Sequence, residues 1–288
     1  MNVKKYFTIV LIAVLICAAV FGGMLMARFM ISPFTAGEHG DAIYPVVNNK
    51  VNVLVVGKDS VAVNTDTILV ATLHTEDGRV SLMSVPRDTK ATVNGHNMKI
   101  NAVYGYAQMN GINDEELLID TVAEITGIKI NYYAFIDLVA FREIVDALDG
   151  VEYDVKRDYF YNDPYQDLYI DLKAGHQVLN GKDAEGLVRF RADYPRADLE
   201  RVEVQQDFIK ELIKQKLNLR YIAKIPTVYK AVSDNVISNL TVDDIIDFAK
   251  AAKASDESIH TYTMPNILSG SYVVPDEEEL SALIEEEF

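Results

Sequence analysis

Three apolar runs follow one another closely: Val51–Val56 (VNVLVV), Thr67–Leu73 (TILVATL) and Arg79–Val85 (RVSLMSV). Each is rich in β-branched residues and bounded by turn formers: Gly57 after the first, Glu76-Asp77-Gly78 before the third, Pro86 after it. Strands this apolar belong to a sheet covered by helices on both faces. The short Lys58–Thr65 loop and the tight turn at Gly78 make the neighbours antiparallel. The end of the first strand, the start of the second and the end of the third must therefore share one sheet edge. That edge receives Asp59 and Asp66 from the loop, and Arg87 and Asp88 after the third strand.

Helical and extended segments alternate beyond this point. Asn113–Thr126 reads as a helix with Asn113 as its N-cap and Gly127 as its stop. Tyr132–Asp137 and Val151–Val155 read as strands, and Val139–Leu148, Glu200–Leu217 and Val242–Ala254 as helices. The C-terminal DEEELSALIEEEF is a final short helix, and the tyrosine-rich Tyr159–Tyr169 stretch reads as an exposed loop. The order predicts an α/β fold, a layered α-β-α domain with a mixed central sheet.

Ahead of it, Tyr6 to Ala27 is an uncharged run long enough to span a bilayer, with Lys4 and Lys5 before it and Arg28 after. The basic N-terminal flank and the absence of an A-x-A site favour a retained signal anchor. The chain divides into a cytoplasmic tail (1–5), a single transmembrane helix (6–27), a juxtamembrane linker (28–49) and an extracytoplasmic domain (50–288). The one cysteine, Cys17, lies in the membrane run, so no intrachain disulfide can form. Net charge is −16, which argues against nucleic acid as partner. His39, His74, His96, His176 and His260 show no metal-ligand spacing, and neither a G-x-S-x-G elbow nor a P-loop occurs.

In so acidic a chain, a gathering of arginines points to an anion. Leu187–Arg191 reads as a strand with Arg189 and Arg191 on one face. Arg201, Gln205, Phe208 and Leu212 fall on one helical stripe, which turns Arg201 and Gln205 inward at the helix start. Asp198 serves either as N-cap or as a further carboxylate of the site. Arginine forks suit phosphate oxygens, and the aspartates Asp59 and Asp66 suit Mg²⁺ shared with those phosphates. The same residues also fit a structural ion-pair network, and the two readings stay open on the residues alone.

At these positions the chain resembles the LytR–CpsA–Psr family of membrane-anchored cell-wall enzymes. The matching segments are VLVVGKDS (53–60), TDTILV (65–70), SVPRDT (84–89), KINAVY (99–104), YYAFIDLVAFREIVDALDGVEYDV (132–155), GHQVLNGKDAEGLVRFR (175–191) and DLERVEVQQ (198–206). SYVVPDEEEL (271–280) resembles the family's C-terminal end. The resemblance implies an apolar pocket for a polyprenyl chain, and transfer of a glycopolymer from a polyprenyl diphosphate carrier to a peptidoglycan sugar hydroxyl outside the cell. It implies Mg²⁺ (or Mn²⁺) on Asp59 and Asp66, and the diphosphate on Arg87, Arg189, Arg191, Arg201 and Gln205. Arg87, Asp88 and Asp198 become the catalytic candidates, the carboxylates orienting arginines or one of them acting as base. Two other readings are a polyprenyl diphosphate hydrolase and a non-catalytic, lipid-carrier-binding scaffold. The chain departs from the family pattern at Asn64-Thr65 and Val204, which stand near or at usual arginine positions, and at Glu200, where glycine is usual.

Overall fold

The structure is a computed structural model and describes residues 40–58, 64–164, 168–190, 198–252 and 257–288. The expected membrane span with Cys17, and the site candidates Asp59 and Arg191, lie outside the described residues, as do the side-chain surroundings of Asp198. Among the described residues no helix is long and apolar enough to cross a membrane.

In chain order the elements are β1 (Lys50–Lys58), β2 (Thr65–His74), β3 (Val80–Ser84), β4 (Lys90–Val93), β5 (His96–Lys99), α1 (Val103–Asn110), α2 (Asp114–Thr126), β6 (Tyr132–Asp137), α3 (Leu138–Ala147), β7 (Val151–Val155), β8 (Tyr159–Asp163), β9 (Leu168–Leu172), β10 (Gly175–Leu179), α4 (Gly181–Arg189), α5 (Asp198–Lys216), α6 (Leu219–Ile222), α7 (Ile225–Val232), β11 (Val236–Ser238), α8 (Val242–Ala251), β12 (Ile259–Thr263), β13 (Asn266–Ser269), β14 (Tyr272–Pro275) and α9 (Glu277–Glu287). The central sheet has the order β11-β6-β1-β2-β3-β12. β1, β2 and β3 form the expected antiparallel meander, while β6 and β12 join it in parallel, so the sheet is mixed.

Side-chain alternation splits each central strand between two cores. Leu54, Val56, Ile68, Val70 and Met83 pack on one face under α1, α2 and α9, through Tyr104, Leu118, Val122 and Leu280. Val51, Leu69, Leu73 and Leu82 pack on the other face, against Ile209 and Ile213 of α5 and Phe248 of α8. This is the layered α-β-α arrangement the alternating pattern predicts. Asn113 caps α2, its side chain accepting the Glu116 N–H, and Gly127 ends the helix at φ 75°.

Two expectations are corrected. Leu187, Val188 and Arg189 do not form a strand: α4 runs to Arg189, capped at its start by the Asn180 side chain. Ala184 and Leu187 are both fully buried, a spacing of three that strand alternation does not give. Tyr159–Tyr169 is not a loop either, since its ends form the antiparallel β8–β9 hairpin. The inner face, Tyr159, Leu168, Ile170 and Leu172, is buried on a third core shared with α3, α4 and Phe208 of α5.

Gly181 fixes the approach of α3 to α4. A methyl group there would lie 2.3 Å from the Arg142 carbonyl oxygen, while the glycine N–H donates to Asp146 Oδ1 at 2.7 Å. Gly181→Ala should destabilise the domain by roughly 1–3 kcal/mol through this overlap, read as a lowered midpoint in urea unfolding.

Far from the charged edge, a polar clasp locks α9 to the sheet. Glu287 Oε2 accepts from Arg79 Nη1 at 2.6 Å and from Ser81 Oγ at 2.7 Å. The buried His74 bonds the Glu287 carbonyl through Nε2 at 2.9 Å and faces Arg79 Nη2 through Nδ1 at 3.4 Å. A carbonyl can only accept, so Nε2 carries the proton and Nδ1 faces a cation. Burial and the Arg79 charge lower the His74 pKa below its usual 6.5. For Glu287, burial raises the pKa, but hydrogen bonds from Ser81 and Tyr262 and the Arg79 charge leave it lowered. As pH falls below about 6.5 the unfolded chain therefore binds a proton at His74 that the native state refuses, and stability declines. The unfolding free energy from urea titrations should fall between about pH 7 and pH 5 with a slope of up to ~1.4 kcal/mol per pH unit, and His74→Gln should flatten that slope.

Candidate functional site

The ends of β1, β3, β6 and β12 and the start of β2 lie together at one edge of the sheet, since Lys58 pairs with both Thr65 and Asp137, and Ser84 with Thr263. Arg87 and Asp66 meet there: Arg87 Nη1 donates to Asp66 Oδ1 at 3.0 Å, with the aspartate 39% exposed. Asp88 turns instead to Lys99, whose Nζ lies 2.8 Å from Oδ1. Beside Asp66, Thr65 is fully buried, and its hydroxyl oxygen has no hydrogen-bond partner among the described residues.

Arg189 arrives from the last turn of α4. Its Nη1 donates to Glu185 Oε1 at 2.8 Å, and the second oxygen, Oε2, accepts from Arg142 Nη1 of α3 at 2.6 Å. Glu185 is only 7% exposed, so the two guanidinium groups are pinned by one buried carboxylate. Arg201, in the first turn of α5, is buried as the stripe predicts.

The paired glutamines next to it act as ties. Gln205 Nε2 donates to the Val188 carbonyl at 2.9 Å, joining the start of α5 to the last turn of α4. Gln206 is buried, and its Nε2 lies 2.9 Å from Ser84 Oγ and 2.7 Å from the Tyr262 carbonyl oxygen. Ser84 ends β3, three residues before Arg87. The two amides thus bring the elements bearing Arg189 and Arg87 against the helix turn bearing Arg201.

On the other face of the same edge, Tyr104 packs on Phe135 at 5.5 Å, Phe135 meets Tyr133 at 5.7 Å, and Lys58 Nζ stands 5.7 Å from the Tyr104 ring centre. The Tyr104 hydroxyl donates to Glu115 at 3.1 Å. Burial and that carboxylate push the Tyr104 hydroxyl pKa well up, so it stays protonated. Burial and a hydrogen bond with Asp114 also raise the Glu115 pKa.

Glu185, Arg142 and Gln206 were not apparent from sequence. Glu185 and Arg189 are an i,i+4 pair, visible only once the segment is read as a helix. Among the described residues no group of three His, Cys, Asp or Glu side chains is placed to hold a metal.

Known proteins resemble this chain in sequence and in fold. The sequence pattern of the LytR_cpsA_psr family matches residues 32–287, and the chain belongs to that family. It is 34% identical over 203 residues to the regulatory protein MsrR of Staphylococcus aureus, spanning 68% of this chain and 58% of MsrR, less than two thirds of that relative's length. It is 27% identical over 227 residues to the polyisoprenyl-teichoic acid–peptidoglycan teichoic acid transferase TagU of Bacillus subtilis, spanning 77% of this chain and 70% of TagU. The crystal structure of B. subtilis TagV has the same fold, with a TM-score of 0.69 and 23% identity over 84% of this chain and 96% of that one.

Glu185→Ala should release both guanidinium groups from their shared carboxylate and lower stability by about 1–3 kcal/mol. Glu185→Gln should lose less, because the amide keeps one acceptor oxygen. Urea midpoints of the two variants check the order.

Proposed function

We propose that this protein transfers a glycopolymer from a polyprenyl diphosphate carrier to a sugar hydroxyl of peptidoglycan, on the outer side of the membrane to which the N-terminal span anchors it. The observation that carries the reading is the Arg87–Asp66 pair at the sheet edge, with the Arg201 turn tied to the same strand ends by Gln206. Membership of the LytR_cpsA_psr family supports it, as does the transfer that the name of TagU describes.

In this reading Arg87, Arg189, Arg191 and Arg201 hold the diphosphate, as planar forks that stay charged. Gln205 keeps α4 and α5 in register through its Nε2, and the second hydrogen of that amide nitrogen is the donor proposed for the diphosphate. Asp66 fits Mg²⁺: it presents a half-exposed carboxylate beside the unsatisfied Thr65 oxygen, and Mg²⁺ is commonly held by one or two carboxylates plus substrate phosphates. Asp59 is the second ligand proposed. The ion would supply neutralisation of charge on the leaving polyprenyl phosphate.

The chain's own residues supply the rest. Arg87, fixed by Asp66, points a guanidinium at developing phosphate charge without reorganisation. Asp88 or Asp198 takes the proton of the acceptor hydroxyl; Asp88 shares its carboxylate with Lys99, which orients it. The bond formed joins the sugar oxygen to the phosphorus that carries the glycopolymer, and the bond broken frees polyprenyl phosphate. The aromatic wall of Tyr104, Phe135 and Tyr133 lies where the apolar carrier chain is proposed to lie.

With full-length protein in detergent, a polyprenyl diphosphate-linked saccharide and peptidoglycan fragments, Mg²⁺ should support release of polyprenyl phosphate, and EDTA should stop it. Arg87→Ala should lower the rate at least ~100-fold, the usual scale for removing one donor to developing charge. Mass spectrometry of the product separates the alternatives: glycopolymer on the acceptor means transfer, glycopolymer phosphate in solution means hydrolysis, and an intact carrier means a binding scaffold.

A further inference from the structure

Charge is segregated along the chain. Residues 210–230 hold six of its 27 Lys and Arg residues but one of its 43 Asp and Glu residues, Glu211. The rest of the protein is accordingly more acidic than the net charge of −16 suggests.

Three of these cations converge on one ring. Lys216 Nζ lies 4.6 Å from the centre of the Tyr221 ring, the Arg220 guanidinium carbon 5.2 Å and Lys224 Nζ 5.2 Å. One carboxylate, Asp149, sits among them: its Oδ2 accepts from Arg220 Nη2 at 3.0 Å, from Lys224 Nζ at 2.9 Å and from the Tyr221 hydroxyl at 3.2 Å. The ring face and the single acid fix the positions of three like charges that would otherwise splay apart. Three cations against one anion leave the patch positive, and Arg220 is 71% exposed.

Lys216 closes α5, the helix whose first turn carries Arg201. At a rise of about 1.5 Å per residue the two stand roughly 22 Å apart along the axis. We propose that the Lys216–Arg220–Tyr221–Lys224 patch is a second binding surface for the glycopolymer itself, and that this polymer is a polyanion with phosphate or carboxylate groups along its length. The proposal rests on the transfer reading above. A carrier held by its diphosphate at Arg87 keeps its lipid at that edge, and the patch, a helix length from Arg201, is within reach of an extended sugar chain. An acidic surface repels a polyanion everywhere except at such a patch, which steers the chain to one route and discriminates against neutral glycans. A lipid surface is the less favoured occupant, because beside the patch Leu219 is the one large apolar side chain exposed among residues 210–230.

The test uses full-length protein in detergent and fluorescently labelled poly(glycerol phosphate) oligomers that carry no lipid, followed by anisotropy at increasing salt. Binding should weaken with salt, fall at least tenfold in the Lys216→Glu/Arg220→Glu/Lys224→Glu variant, and fall by a smaller factor in Arg220→Glu, whose exposed site tolerates the change. Labelled dextran of similar length should not bind. Unchanged oligomer affinity in both variants would overturn the proposal, as would equal binding of dextran. So would loss of binding to phosphatidylglycerol vesicles in the triple variant with oligomer binding intact, which would assign the patch to the membrane. The assay needs neither a lipid diphosphate nor turnover, so failure of the release reaction and failure of this binding are separate results.

Discussion

The buried amide of Gln206 is the contact on which the arrangement of the charged edge depends. It sits where the first turns of α5 cross the ends of β3 and β12, and its Nε2 lies within reach of Ser84 Oγ, the Tyr262 carbonyl and Thr263 Oγ1. A buried amide left without partners is costly, so the helix start has one favourable seat on the sheet. Its neighbour Gln205 repeats the device toward α4. Two successive side chains, turned about 100° apart by the helix, thereby set two distances at once: Arg201 to the strand end before Arg87, and Arg201 to the turn bearing Arg189. The cores on either side of α5, through Phe208 on one and Ile209 and Ile213 on the other, make that seat rigid.

Arg87, Lys99, Arg189 and Arg142 are each paired with a carboxylate, and Arg189 and Arg142 share one. Asp66 holds Arg87, Asp88 holds Lys99, and Glu185 holds Arg189 together with Arg142. This is how an acidic chain can keep guanidinium groups close without mutual repulsion, and it fixes their forks before any anion arrives. The pairings differ in burial. Glu185 is almost sealed from solvent, whereas Asp66 and Asp88 are open enough to exchange partners. The Glu185 clamp is therefore structural in character and the Asp66 and Asp88 pairs adjustable.

Much of the fold was legible because it depends on local patterns. Apolar, β-branched runs bounded by turn formers marked the strands of the meander, a tight turn fixed its sense, and Asn113 with Gly127 bounded a helix. One topological step from these brought Asp66 to Arg87. The misreadings share a cause. Leu187-Val188-Arg189-Phe190-Arg191 alternates like a strand, yet Leu187–Arg189 are the last residues of a helix capped upstream by Asn180, and tertiary packing on Ile170 and Phe208 favours the helix. In Tyr159–Tyr169 the tyrosines look polar, but alternate residues bury their rings while Phe160 and Tyr169 face out. Gln206 and the Arg142 half of the Glu185 clamp were hidden for another reason: the partners lie 122 and 43 residues apart, and no spacing rule reaches that far.

The departures from the family pattern also change meaning once the packing is known. Val204, at a usual arginine position, packs on the core around Phe208 and Phe190, so its side chain is turned toward apolar neighbours. Substituting an arginine there would have to bury a guanidinium or swing it past Phe208, at a cost of several kcal/mol if unpaired. The position that usually carries a charge here instead adds an apolar side chain to the edge of that core. An edge with fewer cations binds a polyanion less tightly, and the basic residues of this protein are concentrated instead at the far end of the same helix, around Tyr221. If the protein transfers a glycopolymer as proposed, the two ends of α5 divide the work, the start facing the diphosphate and the end the polymer it carries.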